Sequence, residues 1–530
     1  MSRFRKACSS ASNLARTRDV WRRQRLAQRR SLPPMAWTYS TRSARACSRF
    51  NNMNWLKLLL FLMLATDVSH TLAQDRPPNF LVLIGDDMGV ETLSSYGIGT
   101  PTAITPNLDQ LAEDGVLFEN FWTEPICSPS RADILTGRYP FRHGVPGPLF
   151  SFWGRMGVPQ PERPASAHKE ALFSPLGPVE ELPDAMPEEY TPGLLNSELL
   201  IPELLKLLPT PYATGAVGKW HLSTPFNENW LDHPNANGFD NFAGPLTGIA
   251  HSYFAWLHVE NGEVRQESGY VDTTNSENAI RFIHEQGDNP WFAWVAFYNP
   301  HTNVHLPPTE LLNSEARALD PNAVSTENTQ PYFLAQIEAL DTLVGRIMAA
   351  IPEEVIDNTY VIFLGDNGTD RWSGPPAPID PQRVKMTTYE GGVRVPLIIR
   401  GPEIEAGARI PYMAHAVDLF ATILELAAGD DESVVPADRP IDSVSLVPYL
   451  LEGADEELRE WNYSSVLMGE LSNSRTLRNS EYKLIIDNGT EELYHIAEDP
   501  AELNPLDLEN LAEPERSHYQ ALKAQLEVLN

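Results

Sequence analysis

The sequence predicts an α/β protein: a large mixed, mostly parallel sheet flanked by helices, followed by a smaller antiparallel C-terminal subdomain. Three observations carry this. Strand-length apolar runs without strict alternation recur along the chain, as expected of strands buried on both faces. Helical patterns lie between them, the alternation that builds parallel sheets. After about residue 435 the pattern changes to short strands around a hairpin signal. With 530 residues, 42% of them hydrophobic, the chain can bury a core of that size.

From the N-terminus, residues 1–52 hold 13 Lys or Arg and one acid, Asp19. Residues 53–57 then give a basic start to the apolar run 58–65, and Thr71-Leu72-Ala73 supplies small residues where a leader is cut. Residues 53–74 therefore read as a secretory signal peptide, too short for a membrane span. Residues 1–52 read as an extension upstream of a true start near Met53. The expectation is an exported protein, periplasmic or secreted, without a stable membrane anchor. Cys8 and Cys47 precede the cut, so the exported chain keeps only Cys127 and forms no intrachain disulfide.

Residues 75–434 carry the strand-like runs 80–84, 213–217, 291–298, 360–364 and 395–399. Thr105-Pro106 opens a helix that Gly115 closes. Leu334, Ile337, Val344, Ile347 and Ile351 line one helical face, and 417–426 reads as another buried helix. Residues 146–211 are studded with prolines and lack periodic segments, the character of a long loop over a binding site or of a solvent-exposed decoration. In 435–530, residues 481–487 and 491–496 flank Asn488-Gly489, a hairpin turn pair. Residues 475–478 add a third strand and 515–529 a helix.

Charge is uneven. The total is −31, but residues 1–74 hold 14 basic and 2 acidic residues, so the remainder, with 26 basic and 69 acidic, carries −43. Such a body repels nucleic acid and suits an exported protein kept soluble by charge. A polyanionic substrate would need a local basic pocket.

The polar residues fall where the strands end. Asp86-Asp87 follow 80–84, and Asp366-Asn367-Gly368 follow 360–364. Lys219 and His221 follow 213–217, and His301 follows 291–298. Open α/β sheets bind ligands at the carboxyl ends of their strands. Taken singly, each has a plain alternative as a turn, a cap or a solvated face. Asp86, Asp87, Asp366 and Asn367 are oxygen ligands that suit a hard cation, calcium rather than magnesium. His221 and His301 keep a zinc hydrolase open as an alternative. Cys127 begins the run Cys127-Ser128-Pro129-Ser130-Arg131, which continues to Thr136-Gly137-Arg138. Pro129 and Gly137 frame a short helix with Cys127 at its positive end. A buried structural thiol is the plain alternative.

Cys127, Pro129 and Arg131 with Thr136-Gly137-Arg138 resemble the signature of the formylglycine-dependent (type I) sulfatases, arylsulfatase-like members of the alkaline phosphatase superfamily. The resemblance extends through Asp86-Asp87, Gly218-Lys219-Trp220-His221, Asp366-Asn367-Gly368, Lys385 with 390–396, and Glu492-Leu493-Tyr494 with Asp499-Pro500. Asn303 stands where the family often has proline, and Met386 where glycine is common.

The resemblance implies that a formylglycine-generating maturation enzyme oxidises Cys127. The hydrated aldehyde would then attack sulfur with one hydroxyl and expel sulfate with the other. Asp86, Asp87, Asp366, Asn367 and the modified Cys127 would surround one divalent ion. Arg131, Lys219 and Lys385 would supply positive charge, His301 the proton for the leaving alcohol, and His221 the base that drives sulfate release. His143 and His305, near matched motifs, read as structural or substrate-contacting. The expected substrate is a sulfated small molecule or saccharide, with a sulfated carbohydrate preferred. The rivals are a formylglycine-dependent phosphodiester or phosphonate monoester hydrolase, a non-catalytic sugar-binding relative, and a bare cysteine hydrolase.

Overall fold

A computed structural model describes residues 76–149, 158–171, 191, 193–227, 229–313, 315–429, 435–436, 438–468 and 472–529. The basic extension, the signal peptide and much of the proline-rich stretch lie outside the described residues. The described residues belong to one unit, Asp75–Asn530.

Its strands are β1 (Asn79–Gly85), β2 (Val116–Trp122), β3 (Glu170–Ala171), β4 (Ala213–Gly218), β5 (Asn241–Gly244), β6 (Ala255–Glu260), β7 (Glu263–Ser268) and β8 (Trp291–Ala296). They continue with β9 (Val304–His305), β10 (Thr359–Gly365), β11 (Leu397–Arg400), β12 (Ala408–His415), β13 (Asn462–Leu467), β14 (Asn473–Arg478), β15 (Lys483–Asp487) and β16 (Thr490–Tyr494). The main helices are α1 (Pro106–Asp114), α2 (Cys127–Thr136), α3 (Val271–Gln286), α4 (Thr329–Ala350), α5 (Asp418–Ala428) and α6 (Glu515–Val528).

Ten strands form one sheet in the order β12-β2-β11-β10-β1-β8-β4-β5-β6-β7. Its centre, β10-β1-β8-β4-β5, is parallel throughout. The expected α/β fold with a mixed sheet is present. Successive residues of β1 serve both faces: Phe80, Val82 and Ile84 join one core and Leu81 and Leu83 the other. On the second face, α4 lays Phe333, Ile337, Leu340, Val344 and Ile347, all fully buried, in the core that holds Leu81 and Phe363. Burying each such side chain stabilises the fold by about 1.5–3 kcal/mol.

Two runs behave differently from their reading. Residues 395–399 give β11, which is antiparallel to both β10 and β2. Pro396 has no N–H for a ladder, and the Val395 N–H donates to the Phe121 carbonyl instead. The run 291–298 ends as a strand at Ala296, because Asp272 of α3 takes the N–H groups of Tyr298 and Asn299 at 3.0 and 2.8 Å.

The second sheet, β13-β14-β15-β16, is antiparallel. Asn488 (φ 47°) and Gly489 (φ 85°) both adopt the left-handed conformation that a two-residue hairpin requires. Leu522 and Leu526 of α6 share its core with Leu477, Leu484 and Leu493. The first strand, β13, was not anticipated. Among the described residues no helix is long and apolar enough to cross a membrane.

Candidate active site

The registers Gly85 with Gly365, Ile84 with Ala296, and Gly218 with Ala296 bring four neighbouring parallel strands to one level at their carboxyl ends. The residues that follow them therefore share one rim. The turn after β4 needs glycine: Gly218 has φ 88°, and a Cβ there would lie 2.0 Å from the Ala296 carbonyl oxygen. Asp87 (φ 69°) and His221 (φ 55°) hold left-handed backbone without glycine's freedom. Each costs on the order of 1–3 kcal/mol, a cost that concentrates at functional sites.

Cys127 is the first residue of α2, and Gly137 (φ 66°) caps the other end. The Cys127 Sγ lies 3.1 Å from His221 Nδ1. Nε2 of that imidazole is 2.7 Å from the Leu149 carbonyl. Donation there leaves the Nδ1 lone pair facing Cys127. Leu149 is held in turn, its N–H donating to Ser128 Oγ at 3.2 Å. Gly248 leaves room for the ring, since a Cβ would come within 2.1 Å of it. Burial, then Lys219, holds His221 well below the usual histidine range.

Three cations meet three carboxylates. Arg131, fully buried, donates to Asp366 Oδ2 from Nε (3.0 Å) and a terminal nitrogen (2.7 Å), and to the Lys219 carbonyl (2.8 Å). Lys219 Nζ lies 2.5 Å from Asp86 Oδ2, and Lys385 Nζ 2.5 Å from Asp87 Oδ1. Burial would raise Asp87, but Lys385, His301 and Lys219 outweigh it and hold the carboxyl at about 2. Burial and then Asp366 push Asp86 well above the carboxylate range despite Lys219. A bound cation would reverse that. His301 Nε2 is 3.8 Å from Asp87 Oδ2, and its Nδ1 is 2.7 Å from the Thr302 carbonyl. Burial lowers it well below the usual range, with Asp87 pulling the other way.

A divalent cation fits this set. Asp86 Oδ1, Asp87 Oδ2 and Asn367 Oδ1 are buried and have no hydrogen-bond partner. The Asn367 amide is oriented by its own Nδ2, which donates to Asp87 Oδ1 at 2.8 Å. Asp366 is already engaged, Oδ1 by the Asp87 N–H at 3.2 Å and Oδ2 by Arg131. All-oxygen donors of this kind suit a hard ion. The Cys127 sulfur also lies within 4.8 Å of a carboxylate oxygen of Asp86 and of Asp366, close enough for the three to share one ion.

Thus all ten residues singled out from the sequence (Asp86, Asp87, Cys127, Arg131, Lys219, His221, His301, Asp366, Asn367 and Lys385) lie in one linked cluster. His143 and His305 lie outside it. His143 bonds Asp133 at 2.8 Å, and His305 bonds the Tyr270 hydroxyl at 3.0 Å. Sequence reasoning missed Ser128 and the Leu149 carbonyl, whose role depends on contacts across 72 residues. It also missed the brace from the second sheet: Lys483 bonds Glu390 at 3.0 Å, and Thr388 bonds Ser474 at 2.8 Å. Met386, next to Lys385, has φ 70°, which accounts for the ease with which glycine would occupy that position.

A family model described as Sulfatase matches residues 78–429. The N-acetylgalactosamine-6-sulfatase of Homo sapiens is 32% identical over 398 residues, 71% of this chain and 66% of its own. The steryl-sulfatase of Mus musculus is 27% identical over 498 residues, 76% of this chain and 71% of its own. The match thus spans about two thirds of the length of the human relative. The PsFucS1 sulfatase from Pseudoalteromonas sp. shares the fold with a TM-score of 0.64 at 22% identity, covering 90% of this chain and 94% of its own. So does BT4656, solved in complex with D-glucosamine-2-N,6-O-disulfate, with a TM-score of 0.62 at 21% identity, covering 86% and 98%. On the family match and the site geometry together, the chain belongs to the sulfatase family.

Proposed function

We propose that the protein hydrolyses the sulfate ester of a carbohydrate, with Cys127 carried as formylglycine and a calcium-class ion held by Asp86, Asp87, Asp366 and Asn367. The observation that carries this is the meeting of Cys127, the oriented His221 lone pair and three unpartnered oxygens at one buried rim. The carbohydrate reading is supported by relatives whose names specify a sulfated sugar.

Hydrated formylglycine supplies one hydroxyl for attack and a second for sulfate release, and a bound divalent ion supplies fixed positive charge. The protein's own groups do the rest. Arg131, Lys219 and Lys385 already balance the three carboxylates, so a divalent ion leaves the rim positive toward an anionic ester. Arg131 fixes Asp366 and the Lys219 backbone together, and cannot lose its proton. His221 Nδ1 faces the nucleophile position and takes a hydroxyl proton there. His301, anchored through Nδ1, presents Nε2 to the leaving oxygen. An anionic substrate beside it favours its charged form. We place maturation by a formylglycine-generating enzyme and export through residues 53–74 in the same proposal.

The test is sulfate release from a panel: an aryl sulfate, sulfated mono- and disaccharides, and an aryl phosphodiester. Turnover of a saccharide sulfate well above the phosphodiester is the expected result. Faster phosphodiester cleavage would overturn the reading.

A further inference from the structure

A second group of metal-ligating side chains lies outside this rim. Glu124 stands three residues before Cys127, Asp133 lies on α2, and His415 ends β12. All three are fully buried, and each offers a ligand atom within 4.8 Å of the others'. Glu124 Oε1 and Asp133 Oδ2 have no hydrogen-bond partner. The His415 ring lies 4.0 Å from Asp133 Oδ2 at Nδ1, which accepts the Val417 N–H at 3.3 Å, and its buried Nε2 has no hydrogen-bond partner.

The remaining atoms of these side chains are held in place. Glu124 Oε2 accepts from the Ser465 N–H at 2.6 Å and Ser464 Oγ at 3.0 Å, which directs Oε1 away from β13. Asp133 Oδ1 accepts from His143 Nε2 at 2.8 Å. Outer partners of this kind orient metal ligands. No lysine or arginine among the described residues forms an ion pair with either carboxylate. The nearby Arg138 pairs with Glu198 and Arg459 with Asp418. Two buried carboxyl groups without a counter-charge cost several kcal/mol unless protons or a cation neutralise them. Burial, outweighing the hydrogen bonds from Ser465 and Ser464, takes Glu124 up to about 8, and burial with Glu124 raises Asp133 well above the usual range.

We propose that Glu124, Asp133 and His415 form a second, buried cation site of the zinc class. The donor set distinguishes it from the catalytic rim. An imidazole with two carboxylates suits zinc and its transition-metal neighbours, whereas the rim's unpartnered oxygens suit calcium or magnesium. The ion would bind together α2, which carries Cys127, the end of β12, and, through Ser464 and Ser465, the second sheet. Its role is structural, since Glu124, Asp133 and His415 lie outside the ten-residue cluster of the rim.

Elemental analysis of the full-length enzyme, loaded with Zn2+ and dialysed, tests this beside Glu124→Gln and Asp366→Asn. The expected result is about one zinc per chain in the wild type, retained in Asp366→Asn, with affinity at least about tenfold weaker in Glu124→Gln. Thermal unfolding of the wild type should shift upward with Zn2+, with release of protons in unbuffered solution. Should Glu124→Gln not fold, the wild-type and Asp366→Asn measurements stand alone. Wild-type protein that retains no zinc and shows no thermal shift would overturn the site, leaving shared protons as the neutralising charge. Zinc lost from Asp366→Asn but kept by Glu124→Gln would overturn it equally.

Discussion

Two buried carboxylate clusters contact the same helix and solve the same electrostatic problem differently. On one side of the problem, Asp86, Asp87 and Asp366 each have a cation within hydrogen-bond distance, from Lys219, Lys385 and Arg131. On the other, Glu124 and Asp133 have hydroxyl, amide and imidazole partners and no fixed cation. The first arrangement has no net formal charge among its acids and bases, so each added positive charge is available to an anionic ligand. The second keeps its negative charge only if something arrives to meet it. The proposed catalysis on sulfate esters uses the first arrangement, and the proposed structural cation the second.

The largest break in this comparison comes at the nucleophile. Cys127→Ala should lower kcat/KM on a sulfate ester by about 10^4-fold or more, while the unfolding midpoint stays close to wild type, because the side chain is small. Next is Asp366→Ala, which strips Arg131 of the carboxylate oxygen that takes two of its N–H groups inside the protein. Denaturant unfolding should show a loss of about 3–5 kcal/mol, accompanied by loss of the rim ion and of turnover. Retention of ion binding would count against Asp366 as part of that site.

His301→Ala separates the two histidines. If His301 protonates the leaving oxygen, a saccharide sulfate should lose about 10^2–10^4-fold in rate. An activated nitrophenyl sulfate, whose leaving group needs no proton, should lose far less. His221→Ala should slow both to a similar degree. Equal losses for both substrates in His301→Ala would remove it from that role.

The clusters should also differ in their response to pH in metal-stripped protein. Asp87, at about 2, lies below its ordinary 3.8, so its contribution is present above about pH 4 and fades as acid approaches pH 2. Glu124, at about 8, lies above its ordinary 4.5, so its contribution is full below pH 4.5 and fades as pH rises through 8. Glu124→Gln should therefore flatten the alkaline limb of stability, by up to about 1.4 kcal/mol per pH unit, and leave the acid limb alone. Urea unfolding across pH 2–9 reads both limbs. The smallest effect is expected at Met386→Gly, where relief of left-handed backbone and added freedom in the unfolded chain oppose one another. The net change should be within about 1 kcal/mol.

The rim was legible because its signals are local. An apolar run ending in Gly85-Asp86-Asp87 or Gly365-Asp366-Asn367 states both the strand and the place where it stops. Parallel neighbours then bring the ends together. The direction of β11 was not legible, because an apolar run carries no information on strand direction and Pro396 acts only against its actual neighbours. The strand β8 stops early through Asp272, on a helix 26 residues before Tyr298, which no local pattern predicts. Leu149 contributes a carbonyl, a group every residue has, so only the fold could single it out. Glu124 and His415 were passed over for a similar reason. They stand 291 positions apart in the sequence, and neither belongs to a recognisable spacing.

The central claim rests on Cys127, and mass spectrometry of the peptide that contains it, from active protein made in its native host, tests that claim most directly. The account predicts an aldehyde at this position in place of the thiol. An unmodified thiol in protein that releases sulfate at full rate would contradict it.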